Sequence, residues 1–502
     1  MRNGELESMK KVKFKMTGNA SEIEKSSESS CLCASVLKKD AGVVEGGFNT
    51  ETQRRRGTEF KMTEIGLVPE DWDVKRLGEI GEPLMCKRVL KSQTSDSGDI
   101  PFYKIGTFGK TADAFISKEL FTSFKRQYSY PKNGDVLISA AGTIGRTVVF
   151  DGNDAYFQDS NIVWIGHDER IVLNKYLKWC LEVIKWQTED GGIVTRLYND
   201  NIRNSLIPVP PLPEQKAIAE VLSDVDELLA AMTTLIEKKR AIKQGAMQVL
   251  LTGKKRLVGF KNSESSCICA SVLKKEAGVV EGGFNTETQR RRGTEFKMTE
   301  IGLIPEDWEV KRLGECVDVY DGTHQTPCYV EHGVPFYSVE NVTANNFINT
   351  KCISWKEHQM LTRRHKIEKG DVLMTRIGSI GVCRFVDWDV DASYYVSLAL
   401  LKRKAKAEID MEFLSFLSES DLFKDQVWQK SLQFAIPLKI NLGPISDIKI
   451  CIPPTLAEQR KIAEVLSDMD AEIESLEAKR AKYESIKQGM MQELLTGKTR
   501  LV

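Results

Sequence analysis

Few residues in this chain stand at spacings that chemistry requires. Gly106-Thr-Phe-Gly109-Lys110-Thr111 offers the glycine, lysine and hydroxyl of a phosphate-cradling loop. Such a loop needs a second glycine five residues before Gly109, but that position is Lys104. Without it the backbone cannot close round a phosphate, and we read the segment as a turn. The five histidines stand at positions 167, 324, 332, 358 and 365, with no His-x-x-x-His pair among them. No Gly-x-Gly-x-x-Gly is present to cradle a dinucleotide. Nor is there an Asp/Asn-Pro-Pro-aromatic tetrapeptide of the kind that holds an adenine amino group, since Pro210-Pro211 and Pro453-Pro454 follow Val209 and Ile452. Two thiol pairs, Cys31-Leu-Cys33 and Cys267-Ile-Cys269, have no second Cys or His pair at zinc spacing beside them. Acidic residues are plentiful, but none sits at a diagnostic metal or acid/base spacing. These tests agree that the chain binds rather than catalyses and holds no metal.

The elements that would position a binding surface show through internal repetition. Glu214 to Val258 matches Glu458 to Val502 without a gap, with 25 of 45 positions identical. Apolar residues recur at Ile218, Leu222, Val225, Leu229 and Met232 in the first copy, and at Ile462, Leu466, Met469, Ile473 and Leu476 in the second. Steps of four and three form a heptad seam, so each copy is predicted to be one long helix with a stripe for another helix. About 38 helical residues would make a rod of roughly 57 Å. Two equal rods with matching seams predict an intramolecular helix pair acting as a spacer.

Before each helix lies a domain-sized stretch opened by a shared phrase, Gly66-Leu-Val-Pro-Glu-Asp-Trp72 and Gly302-Leu-Ile-Pro-Glu-Asp-Trp308. Proline, a large aromatic and an alternating run predict a turn into a strand, with Trp72 and Trp308 as anchors. Gly134-Asp-Val-Leu137 and Gly370-Asp-Val-Leu373 precede Gly142-Thr-Ile-Gly145 and Gly378-Ser-Ile-Gly381, a pattern of antiparallel hairpins. A near-verbatim segment, from Ser29 and again from Ser265, leads into each half and reads as an inserted repeat. The expected organisation is a leading segment 1–59, a domain 60–212, a helix 213–258, a linker 259–295, a second domain 296–455 and a second helix 456–502. Both domains are mixed α/β.

Bulk properties narrow the class further. A chain of 502 residues is too long for one core. Its formal net charge is zero, so contact with nucleic acid would have to come from local patches such as Lys87-Arg88, Lys125-Arg126, Arg363-Arg364-His365-Lys366 and Lys402-Arg403-Lys404. Eleven scattered cysteines fit free thiols in a reducing compartment. With no apolar run of membrane-spanning length, the expected location is the cytoplasm.

Together these features resemble the specificity subunit of type I restriction–modification systems. The resemblance rests on the doubled start phrases, the Gly-Asp-Val-Leu…Gly-x-Ile-Gly segments, the Pro-Pro exits, Glu214-Gln215 and Glu458-Gln459, and the Leu-Leu-Thr-Gly-Lys ends. It implies two target-recognition domains held apart by two long antiparallel coiled-coil helices in a pseudo-twofold repeat. Each domain would read one half of a bipartite double-stranded DNA site. The helices would dock two adenine-N6 methyltransferase subunits and, in the larger complex, motor–nuclease subunits. S-adenosylmethionine, ATP and magnesium would belong to those partners, with no cofactor in this chain. The inserted repeats depart from the family pattern.

On that reading the base contacts fall to polar side chains in the divergent loops. The candidates in the first domain are Lys87, Arg88, Lys91, Gln93, Arg146, Arg196, Asn199 and Asn201. In the second, the polar turn Asp321-Gly-Thr-His324-Gln325-Thr326, similar to a loop of many recognition domains in the family, supplies His324, Gln325 and Thr326. Asn341, Arg363, Arg376 and Gln433 complete the set. Two other classes stay open on sequence alone: a fused restriction–methylation enzyme, and a coiled-coil scaffold that holds two protein-binding domains.

Overall fold

A computed structural model describes residues 59–186, 196–257, 259–260 and 295–501. Nearly all of the leading segment and the linker, with both Cys-x-Cys pairs, lies outside these residues. The chain divides into two compact units, Met1–Met62 and Thr63–Val502. The second contains both domains and both helices, and the description that follows is confined to it.

Each domain is stitched shut where its chain enters and leaves. Strand Asp73–Arg76, which follows the Trp72 phrase, pairs antiparallel with the proline exit Leu206–Val209. Glu309–Arg312 and Lys449–Ile452 repeat that pairing in the second domain. Proline lacks an N–H for a ladder, so Pro208 is tolerated because this sheet has only two strands. Trp72 and Trp308 are fully buried beneath these ribbons, as the start phrase predicts.

Both domains build the same four-stranded antiparallel sheet. In the first the order is Glu82–Met85, Ile162–Gly166, Val136–Ser139, Thr147–Val149. In the second it is Val317–Asp321, Leu398–Arg403, Val372–Thr375, Cys383–Phe385. The central strands are apolar runs rather than alternating ones because both faces are covered. Val136–Ser139 and Val372–Thr375 are buried at every position. The Gly-Asp motif ahead of each has a mechanical role: Asp135 Oδ2 accepts from the Lys132 N–H at 2.7 Å, and Asp371 Oδ2 from the Glu368 N–H at 2.7 Å. Each carboxylate holds the turn that launches its strand. A smaller sheet with one parallel pairing lies beside each large one, using Ile100–Tyr103 with Tyr156–Phe157 and Val334–Tyr337 with Ser393–Tyr394.

The two long helices run over Leu212–Leu250 and Leu456–Leu494, 39 residues each, or about 58 Å at 1.5 Å per residue. Both pass through their glycines, Gly245 and Gly489, and stop short of the ends expected from the repeat. The helices are antiparallel. Lys243 Nζ lies 2.7 Å from Asp470, and Lys487 Nζ lies 2.6 Å from Asp226. Arg480 donates to Thr233 Oγ1 at 3.0 Å near the middle.

The expected seam changes character along its length. Val225, Met232 and Ile473 are buried, while Leu229, Met469 and Leu476 are partly buried. Ile218 and Leu222 join the first domain's core together with Met491, Leu494 and Leu495 from the far end of the other helix. Ile462 and Leu466 do the same in the second domain with Met247, Leu250 and Leu251. The stripe is thus a helix–helix seam in the middle and a three-way core at each end. Among the described residues no helix is long and apolar enough to cross a membrane.

Candidate nucleic-acid interface

The antiparallel registers carry several divergent loops of each domain to one end of its large sheet. In the first domain Met85 pairs with Val163, and Ile162 with Ser139. The exit past Met85, the turn 140–146 and the approach to Ile162 therefore share an edge. That edge brings together Lys87, Arg88, Arg146 and Arg196, the last through a bridge between Arg196 and Ala141. In the second domain Asp321 pairs with Ala399 and Thr375 with Leu398, which gathers the turn 322–326 and the turn 376–381 at the matching edge. The loop 431–440 joins them through the bridge between Lys439 and Ile377.

Within these edges the candidate side chains divide by what they already hold. Arg88 donates to Asp159 at 2.8 Å yet remains exposed. Arg196 Nη2 is committed to Ser160 Oγ at 2.8 Å and Asn161 Oδ1 at 3.1 Å. Gln93 and Asn201 cap local turns through Leu90 N–H and Tyr198 N–H, and Asn341 does the same for Ser338. Asn199 opens the short helix Asn199–Asn204 and is half-buried. Lys87 lies over the Tyr128 ring, 5.0 Å from its centroid. Lys91, Gln325, Thr326 and Gln433 are exposed, and Arg146 is partly so.

His324 and Arg363, distant in sequence, line one cleft of about 530 Å³ with Asp321, Thr323, Arg364 and His365. His324 Nε2 is 2.8 Å from Asp321 Oδ2, and the His365 ring stacks on Tyr320. This cleft offers imidazole, guanidinium and hydroxyl groups at a sheet edge, which suits recognition of a polar ligand.

Arg376 differs from the surface reader that the sequence suggests. It is only 4% exposed. Its guanidinium donates to the carbonyls of Ile440 at 3.3 Å and Val396 at 3.2 Å, with Asp321 Oδ2 3.5 Å away. Burial pulls its pKa below the ordinary arginine value, partly offset by Asp321. In this fold it pins together the three segments that form the edge.

A second set of polar residues joins the domains to the helices. Glu214 and Gln215 are fully buried, as are Glu458 and Gln459. Gln215 Nε2 donates to Ile171 O and Pro210 O, both at 2.8 Å, and Gln459 Nε2 to Glu408 O and Pro453 O, both at 3.1 Å. Glu214 accepts from Trp72 Nε1 at 2.9 Å and from Arg500 at 2.6 and 2.8 Å. Arg500 also grips Asp71. At the other end Arg256 grips Glu458 at 2.5 and 2.6 Å and Asp307 at 2.9 and 3.1 Å. Each arginine follows the end of one helix and fastens the start of the other. Burial disfavours the Arg256 cation, but Glu458 and Asp307 outweigh that and keep it charged. The same ends explain the glycine of Leu-Leu-Thr-Gly-Lys. Gly253 and Gly497 have φ of +65° and +68°, and an added Cβ would lie 2.4 Å from Pro305 and Pro69 respectively.

Farther along the helices, Lys487 and Lys178 both meet Asp226. Burial alone would raise the Asp226 pKa, yet these ammonium groups hold it below the usual carboxylate value. Nothing in its spacing announces this set of residues. The signal available was that Arg256 and Arg500 occupy the same position of the two copies.

The family model for the type I restriction modification DNA specificity domain matches residues 69–241 and 305–485. The chain belongs to this family. Each specificity domain so matched runs from the Trp phrase, through the sheet, into its long helix. A protein of Haemophilus influenzae, provisionally described as a type I restriction enzyme specificity subunit, is 53% identical over 180 residues, 36% of this chain and 47% of that one. The chain thus spans about half of that relative. The MjaVIII type I restriction enzyme specificity subunit of Methanocaldococcus jannaschii is 28% identical over 458 residues, covering 88% of this chain and 96% of the relative. The crystal structure of a type I restriction–modification S subunit from M. genitalium matches in fold with a TM-score of 0.51 at 15% identity, over 84% of this chain and 96% of that one. The mixed α/β specificity domains with their long helices are therefore the family's fold.

Proposed function

We propose that this specificity-family chain reads a bipartite double-stranded DNA site, one half with each domain, and that the helix pair sets the distance between the halves. The observation that carries this reading is the paired sheet edge. Equivalent loops converge at equivalent ends of two sheets, yet hold different side chains: Lys87 and Arg88 on one, His324 and Gln325 on the other. Two unlike surfaces on one repeated frame suit two unlike half-sites. Arg, Gln and Asn are the side chains that pair with base edges. The exposed sides of the two helices are the proposed dock for two methyltransferase subunits and, beyond them, motor–nuclease subunits. Those partners would carry S-adenosylmethionine, ATP and magnesium, and this chain would direct them without catalysing.

Mapping methylated adenines in DNA from cells carrying the whole system tests the reading. A two-part motif whose second half alone changes with the loop 322–326 supports it. A motif that changes in both halves, or in neither, rejects the division of labour.

A further inference from the structure

The loop 431–440 of the second domain ends in an apolar point. Phe434 and Ile436 are each 100% exposed, and Leu432 is 48% exposed. Large side chains wholly in water are costly, and when grouped they mark a contact with another molecule. The point is not carried on a loose segment. Leu432 N–H donates to Lys439 O at 2.7 Å, Ala435 N–H to Leu432 O at 3.0 Å, and Gly378 N–H to Leu438 O at 2.8 Å. Ile440 N–H also donates to the Arg376 carbonyl at 2.9 Å. The returning stem is thus fastened to the turn 376–381, and the outgoing stem to the returning one, at the edge where the polar turn 322–326 also lies.

We propose that Phe434 and Ile436 form a wedge that enters the DNA duplex between base pairs and bends it. The inference rests on the DNA reading above and adds how the second domain deforms its half-site. Charge favours a nucleic acid over a protein partner as the occupant. From Gln426 to Ser446 the sequence has no carboxylate, and Lys430 and Lys439 flank the point, so the segment itself offers a phosphate backbone attraction and no repulsion. Apolar side chains projecting beside polar base readers are the device by which proteins unstack a step and kink a duplex. The bend would bring the flanking DNA against the rest of the sheet edge, and a flexible pyrimidine–purine step would be favoured at the insertion point without any base hydrogen bond.

The test uses the complex purified from cells carrying the whole system, with Phe434→Ser and Ile436→Ser combined. Both side chains are fully exposed, so the double variant should fold as the parent does. A duplex spanning the methylated site is labelled at its ends, and its bend is followed by energy transfer. The parent complex should shorten the end-to-end distance. The variant should lose that shortening and bind about tenfold or more weakly, the scale set by burying one such side chain, while keeping the hydrogen-bonded bases of its half-sites and losing only the preference for a flexible step. An unchanged bend and affinity in the variant would overturn the wedge and leave base reading intact. Loss of the methyltransferase subunits from the variant would also overturn it, by showing that the point contacts protein. A parent complex with no sequence preference would remove the DNA reading itself, and the wedge with it.

Discussion

Arg500 and Glu214 stand 286 positions apart and form a two-pronged ion pair at 2.6 and 2.8 Å, which Arg256 and Glu458 repeat at the opposite end of the helix pair. The two bonds cross. The end of the second helix holds the start of the first, and the end of the first holds the start of the second. Each arginine also reaches the aspartate of a domain's opening phrase, Asp71 or Asp307. Domain, helix start and helix end are therefore fixed at one point on each side, which gives the helix pair a definite length.

Removing one arginine should be expensive, because Glu458 is 1% exposed and would be left charged and unpaired. Arg256→Ala is expected to cost about 3–5 kcal/mol in denaturant unfolding. Arg256→Met combined with Glu458→Met should recover most of that loss, because the burial penalty goes with the charges. A double variant as unstable as the single one would show that the residues pack rather than pair.

The middle of the helix pair can be tested apart from the domains. Leu466 lies in the second domain's core, so an aspartate there would damage both. Ile473 is 7% exposed and stands clear of the domain cores. Ile473→Asp should separate the helices at their centre, at a cost on the order of several kcal/mol, and abolish co-elution with methyltransferase subunits. Near-normal unfolding of the domains is expected, and full assembly of this variant would refute a helix–helix seam.

Arg376 and Gln325 should now behave differently, although both are polar residues of the second domain's edge. Gln325→Ala should relax discrimination in one half-site by roughly 1–3 kcal/mol and leave the melting temperature alone. Arg376→Ala leaves buried carbonyls of Ile440 and Val396 without their donor, each loss costing about 1–3 kcal/mol. It should lower the melting temperature. Unchanged stability with altered base choice would restore Arg376 as a reader.

Much of this architecture is legible in the sequence. The heptad steps mark both rods, and the doubled Trp phrase marks the domain starts, because each is a local pattern. The site was legible only in part. Arg376 follows a Gly-Asp turn and an apolar strand, the usual setting of an exposed hairpin loop. Its burial comes from Ile440 and Asp321, which are remote in sequence. Arg256 and Arg500 lie among 71 Lys and Arg residues, and only the fold shows what they grip. The sequence around Phe434 and Ile436 carries no local pattern that announces their exposure.

Three thiols give a pH prediction. Burial pushes Cys86, Cys180 and Cys383 from 9.0 up to about 12. The unfolded chain ionises these groups near 9.0 while the folded one retains their protons. Stability is thus fully present below about pH 9 and falls as pH rises towards 12. At pH 8 these thiols should resist iodoacetamide until denaturant is added, whereas the exposed Cys328 should be alkylated at once. Labelling of Cys180 in the native protein, read by peptide mass, would contradict the packing.

If the helix pair is a ruler fixed at both ends, lengthening only one helix should break a crossed pair. Thr234 and Ala478 hold the same position of the two copies and lie about midway between the contacts Lys243–Asp470 and Lys487–Asp226. Four residues inserted after each add about 6 Å and turn each helix by roughly 400°, which nearly restores its face. At about 3.4 Å per base pair the gap between half-sites should widen by one or two pairs. The decisive measurement is the map of methylated adenines for this doubly extended variant. A ruler of this kind gives unchanged half-sites with a longer gap. An active complex with the original gap, or with a new half-site, would contradict it.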